Sequence, residues 1–167
     1  MPSGKAIVHP IPKGDTMLRF VLEPFKGAHP ILFGMPRLRV CELLGVPRVA
    51  GDGNDSWGLR LEINVGYADD RSVNHVGFSP GEFDLLFHNT LIWTSSSQPD
   101  PNPILLRFDG EPFERLGFLV FSRLGITTTG YHDDDPSQYA ITVFPVGAWD
   151  AQLVKSRRAD VGKYAGR

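Results

Sequence analysis

Through the first half of the chain, apolar and polar residues alternate in the rhythm of half-buried strands. In residues 17–23, Leu18, Phe20 and Leu22 fall on one side and Arg19 on the other. Residues 57–67 carry the cleanest alternation: Trp57, Leu59, Leu61, Ile63, Val65 and Tyr67 face one way, and Arg60, Glu62 and Asn64 the other. Shorter strands are expected over 30–33 and 73–78, with an edge strand over 4–9, where Pro10 and Pro12 limit pairing. Residues 37–44 can be read as a helix. A strand is favoured there, because Leu38 and Val40 alternate with Arg37 and Arg39, and Gly45 and Pro47 end the run early.

A helical rhythm takes over at Ser79. Ser79 can cap a helix, Pro80 suits its first position, and Glu82 can complete a capping box. Phe83, Leu86, Phe87 and Leu91 then recur at i, i+3, i+4 and i+8, the spacing of one buried helical face, so a helix is expected from Pro80 to near Trp93. Turns are expected at 49–56 and 69–71, and residues 95–102 form the one polar, proline-punctuated linker.

Beyond that linker the features recur in order. Pro103-Ile104-Leu105-Leu106 answers Pro30-Ile31-Leu32-Phe33, Leu124-Gly125-Ile126 answers Leu44-Gly45-Val46, and the acidic turn Asp133–Asp135 answers Asp52–Asp55. Residues 139–144 then answer the strand at 57, and Gly147-Ala148-Trp149-Asp150 answers Gly81-Glu82-Phe83-Asp84. The expected fold is α+β and β-rich: one domain over 1–167, with pseudo-repeats at about 4–94 and 103–158 joined by the linker 95–102. Each repeat is expected to supply about four antiparallel strands followed by a helix.

On these residues the chain resembles the Whirly family of single-stranded nucleic-acid-binding proteins. The stretch 59–93 resembles it most, with an alternating strand, a charged turn, another strand and then Phe78-Ser79-Pro80-Gly81-Glu82-Phe83-Asp84 entering a helix. Ser3-Gly4-Lys5-Ala6-Ile7-Val8 is similar to the family motif K-G-K-A-A-L at three of six positions, with Ser3 in place of the first lysine. The resemblance implies a homo-oligomer whose helices gather centrally and whose sheets face the ligand.

Composition narrows the chemistry. At 167 residues and 41% hydrophobic content, the chain can build a core without metal or disulfide support. A net charge of −2 leaves no global basic field, so any nucleic-acid surface must be local. The single cysteine, Cys41, excludes an internal disulfide. No long apolar run marks a signal peptide or a membrane span, so a cytoplasmic protein with no membrane partner is expected. The five histidines lack zinc-site spacing, and His132-Asp133-Asp134-Asp135 lacks the order of a calcium loop. No catalytic constellation, metal or cofactor is expected.

What remains is a set of cations and aromatics near the expected strands. Lys5, Arg19, Lys26, Arg37, Arg39, Arg60, Arg107 and Arg123 are candidates for phosphate contact, with Trp57 and Tyr139 as stacking faces for bases. Arg115, Tyr131 and the basic tail through Lys163 belong to the same wider set, and Trp57 also suits the core. Leu85 and Ile92 form a second apolar stripe on the expected helix, which makes them candidate oligomer contacts. The expected function is non-catalytic binding of single-stranded DNA or RNA by a homo-oligomer. The alternative is a structural or assembly protein, such as a viral shell or tail component.

Overall fold

The computed structural model describes residues 17–165. The protein is β-rich and built on two sheets. The smaller has five strands: β1 (Leu18–Glu23), β2 (Gly27–His29), β3 (Ile31–Leu32), β8 (Phe83–Phe87) and β9 (Thr90–Trp93), in the order β3-β2-β1-β8-β9. Its centre is a parallel pairing of β1 with β8, from Leu18 opposite Phe83 to Leu22 opposite Phe87. The larger sheet is antiparallel throughout. It comprises β4 (Val49–Ala50), β5 (Asn54–Trp57), β6 (Ile63–Tyr67), β7 (Val73–Phe78), β10 (Phe113–Arg115), β11 (Phe118–Phe121), β12 (Ile126–Thr129), β13 (Ala140–Val143) and β14 (Arg157–Arg158). Their order is β14-β10-β11-β12-β13-β7-β6-β5-β4, so the β13–β7 pairing joins the two halves of the chain in one sheet.

The two sheets share one apolar core. Phe20 and Phe83 from the small sheet meet Phe78 from the large one, with ring centroids 5.2 to 5.8 Å apart. These tilted and edge-on contacts are the favoured geometry for buried rings. Among the described residues three α-helices flank the sheets: α1 (Arg37–Leu44), α2 (Asn102–Asp109) and the short α3 (Asp150–Leu153). Buried Asp55 on β5 accepts hydrogen bonds from the Arg37 guanidinium, one at 2.8 Å through Nε, and from the Tyr67 hydroxyl at 3.0 Å. This satisfied charge cluster docks α1 onto the sheet, and removing one partner would strand a buried ion.

Several expectations from the sequence are corrected. Residues 80–93 contain no helix, and from Phe83 to Trp93 they form the hairpin β8–β9. The run Phe83-Asp84-Leu85-Leu86-Phe87 satisfies both periods, and pairing with β1 selects the alternating one, which buries Phe83, Leu85 and Phe87 to at most 1% exposure. The hairpin tip is His88-Asn89, both at positive φ, as a tight two-residue turn requires. Glu82 pairs with Arg60 at 3.1 Å where a capping role was expected. Leu85 and Ile92 are therefore core residues of this chain, 0% and 1% exposed, and their burial needs no second subunit.

Residues 37–44 form α1 in place of a strand: Pro36 precedes it, Val40 and Leu44 are buried one turn apart, and Gly45 at φ +82 ends it. Residues 102–109, read in part as a strand, form α2, because Pro103 suits a first turn and the Asp100 side chain accepts the Asn102 N–H at 2.8 Å. The run 57–67 is broken into β5 and β6 at Leu59 and Glu62, both at positive φ, which leaves Leu59 77% exposed. The second half runs α2, the four strands β10–β13, α3 and β14, while in the first half α1 follows three strands and a hairpin stands where a helix was expected. The edge strand expected at 4–9 and the motif around Lys5 lie outside the described residues.

Phe78 belongs to the large sheet and packs on both aromatic partners of the small one. Phe78→Ala is expected to cost about 3–5 kcal/mol in denaturant unfolding. One cooperative transition, moved to lower denaturant, would confirm a shared core. Loss of only part of the signal at an unchanged midpoint would mean that the sheets fold independently.

Candidate functional site

Strand pairing assembles one row across the large sheet. Arg157 lies opposite Glu114, Glu114 opposite Leu119 and Leu119 opposite Thr128. Thr128 then lies opposite Ile141, Ile141 opposite Phe78, Phe78 opposite Ile63 and Ile63 opposite Trp57. Directly opposed residues share a face. The row is apolar from Ile141 to Trp57 and polar from Thr128 to Arg157, apart from Leu119. At the polar end lies a cavity of about 530 Å³, and Arg157, Glu114, Leu119 and Thr128 all line it.

Four other segments complete the walls. Asp100 and Asn102 at the start of α2 form one, with Tyr131 and His132 after β12 beside them. Lys163 and Tyr164 near the C-terminal end form another, and the β10–β11 hairpin tip, Arg115-Leu116-Gly117-Phe118, forms the lip. Buried Thr128 donates its hydroxyl hydrogen to the Asn102 amide oxygen at 2.6 Å, which fixes the start of α2 against β12. The Tyr164 hydroxyl donates to Glu114 at 2.7 Å, and Arg157 donates to the same carboxylate at 2.7 and 3.0 Å. Those bonds hold the C-terminal segment over the cavity.

The electrostatics follow from these contacts. The Tyr164 hydrogen bond, with Arg157 beside it, holds the Glu114 carboxyl below its ordinary value of 4.5. Burial, reinforced by Glu114, pushes Tyr164 up to about 12. Burial also raises Tyr131 well above the usual tyrosine range, so its phenol remains a donor at neutral pH. Glu114 is thus an ionised carboxylate already committed to two partners.

Two residues of the cavity wall carry a polar atom with bonding capacity to spare. Among the described residues, the buried side-chain polar atoms that lack a hydrogen-bond partner are Arg115 Nε and the Tyr131 hydroxyl, and both residues line this cavity. Arg115 is half-buried and Tyr131 is 4% exposed. The Trp93 indole N–H donates to the Pro99 carbonyl at 3.2 Å and also lies within reach of the Tyr131 hydroxyl oxygen, so what the Tyr131 phenol lacks is an acceptor for its own proton. A buried donor without a partner costs about 1–3 kcal/mol, and more when charged. Both costs fall in one place.

The residues expected from sequence to contact nucleic acid are dispersed. Arg19 pairs with Asp84 at 3.2 Å, Arg39 with Glu42, and Arg60 with Glu82. Arg37 is held by Asp55, and Arg123 bridges to Glu111 at 2.9 Å while its backbone N–H donates to buried Asp109. Trp57 is buried, 4% exposed, with its indole N–H donated to the Gly45 carbonyl at 3.1 Å. Lys26 and Arg107 are exposed on separate elements, a β1–β2 turn and α2. Lys5 lies outside the described residues. Tyr139 alone of this set adjoins the cavity, its ring stacked on Tyr131 at 4.1 Å.

No group of three or more histidine, cysteine, aspartate or glutamate side chains is placed to hold a metal among the described residues. Nor does any helix among them reach the length and apolarity needed to cross a membrane. No protein-family model matches the sequence, and neither a curated protein nor a solved structure shows significant similarity to it.

Acid should release the C-terminal segment. The folded state lowers the Glu114 pKa, so the stability this group contributes is full above its ordinary 4.5 and is lost as pH falls through the depressed value. Wild type is expected to lose more stability than Glu114→Gln on acidification below about pH 4.5, as read by thermal unfolding. Equal acid sensitivity of the two proteins would contradict this.

Proposed function

We propose that the protein is a non-catalytic binding module that takes a small anionic ligand, a carboxylate or phosphate ester, in the cavity beside β10. The observation that carries this reading is that two residues lining one cavity, Arg115 and Tyr131, each carry a buried donor, Nε–H and the phenolic O–H, that no acceptor of this chain takes up. A guanidinium is always charged and offers a planar fork of donors that matches carboxylate and phosphate oxygens. A phenol donor beside it supplies a second, neutral hydrogen bond. The volume, about 530 Å³, falls within the roughly 300–1,000 Å³ of small-molecule sites. Binding is favoured over catalysis because Glu114, the carboxylate with a lowered pKa, is occupied by Tyr164 and Arg157.

The nucleic-acid reading keeps less support. Arg19, Arg37, Arg39, Arg60 and Arg123 face carboxylates of this chain, and Lys26 and Arg107 stand on separate elements, so the arginines and lysines expected to contact phosphate are not brought together as one track among the described residues.

Titration calorimetry with butyrate, inorganic phosphate and glycerol tests the proposal. Butyrate or phosphate should bind and glycerol should not, and Arg115→Met should weaken the anion by about 10- to 150-fold, the loss of one charged hydrogen bond. No anion binding at millimolar concentration would overturn it. Binding of oligothymidylate that survives Arg115→Met but is lost when Lys26 and Arg107 are neutralised would favour the nucleic-acid reading instead.

A further inference from the structure

The cavity mouth changes character within four residues. Arg115, half-buried, lines it together with Leu116, 81% exposed, and Phe118, 36% exposed. Resting on the anion-binding reading, we propose that the ligand is amphiphilic, an anionic head at Arg115 carrying an alkyl or aryl tail laid over Leu116 and Phe118.

Backbone geometry supports a role for Leu116. It occupies the β10–β11 hairpin tip at φ +49, followed by Gly117 at φ +84. Turns with two successive positive φ values favour asparagine, aspartate and glycine, and a leucine there is strained. A large apolar side chain that is both strained and exposed gains nothing for folding, and strain of this kind concentrates at ligand-contacting positions. Here the position also borders the cavity that Arg115 lines.

Phe118 adds a fixed surface. Its ring packs on Trp149 with centroids 5.6 Å apart, and Trp149 in turn packs on buried Phe144 at 6.1 Å. Across the hairpin, Phe118 lies directly opposite Arg115. Head and tail contacts are therefore cross-strand neighbours, and one short ligand can span both. A purely hydrophilic anion would use the guanidinium and leave the apolar lip in water.

Straight-chain monocarboxylates separate the two claims. By calorimetry, affinity should rise about fourfold for each methylene from acetate toward hexanoate and level off once the lip is covered. In Leu116→Asn, which places a favoured residue in the turn and so keeps the fold, that rise should flatten. The terminal methyl of bound hexanoate should give nuclear Overhauser contacts to Leu116 and Phe118 in the wild type. Acetate and hexanoate binding wild type equally, or an undiminished rise in Leu116→Asn, would overturn the amphiphilic inference while leaving the anion site in place. Failure of every carboxylate to bind would remove both.

Discussion

The structure depends on the antiparallel pairing of β13 with β7. Three register pairs, Ile141 with Phe78, Thr142 with Gly77 and Val143 with Val76, make one sheet out of strands from the two halves of the chain. Without that seam, the meander β10–β13 would end in an unpaired edge, and a lone sheet edge is unstable and prone to mispairing. With it, residues from Trp57 to Arg157 fall into one row. Where the small sheet's aromatics cover the row, it is apolar and packed. Toward β14 the side chains turn polar and line a cavity, bounded by the start of α2 and the C-terminal segment.

This arrangement explains why most polar groups of the cavity are tied to one another and why its charge is uneven. Thr128 and Asn102 are bonded to each other, and Glu114 is bonded to Tyr164 and Arg157, so most polar groups are fixed by the protein itself. Arg115 and Tyr131 stand outside those pairs. Satisfied groups position the walls, and the unsatisfied ones supply the affinity. A site prepared in this way pays little ordering cost on binding.

Much of the fold was legible in the sequence where only one period fits. Residues 17–23 alternate unambiguously and form β1, residues 73–78 form β7, and residues 139–144 contain β13. Legibility failed where two periods coincide. Phe83 to Phe87 reads as helix or strand equally well, and only pairing with β1, more than sixty residues away in sequence, settles it. In 37–44 the alternation of arginine with leucine and valine concealed a helix whose buried face is just Val40 and Leu44. The break at Leu59 and Glu62 depends on backbone angles that neither residue advertises.

The site was less legible, for a different reason. Charge alone drew attention to arginines that turn out to have local carboxylate partners, such as Arg60 beside Glu82 and Arg19 beside Asp84. What distinguishes Arg115 is the lack of a partner for its Nε, a property of the assembled structure. Tyr131 was visible as an aromatic, yet its use lies in the hydroxyl. The useful sequence signal was Arg115-Leu116-Gly117-Phe118, where a leucine takes a turn position that calls for a small polar residue.

The most direct measurement is the Nε–Hε resonance of Arg115 by nitrogen-15 nuclear magnetic resonance, assigned through Arg115→Met and followed as butyrate is added. If the guanidinium is an uncommitted donor awaiting an anion, that proton should move downfield and saturate with the ligand. An Arg115 resonance that stays in place while butyrate saturates the protein elsewhere would contradict the assignment of this cavity as the anion site.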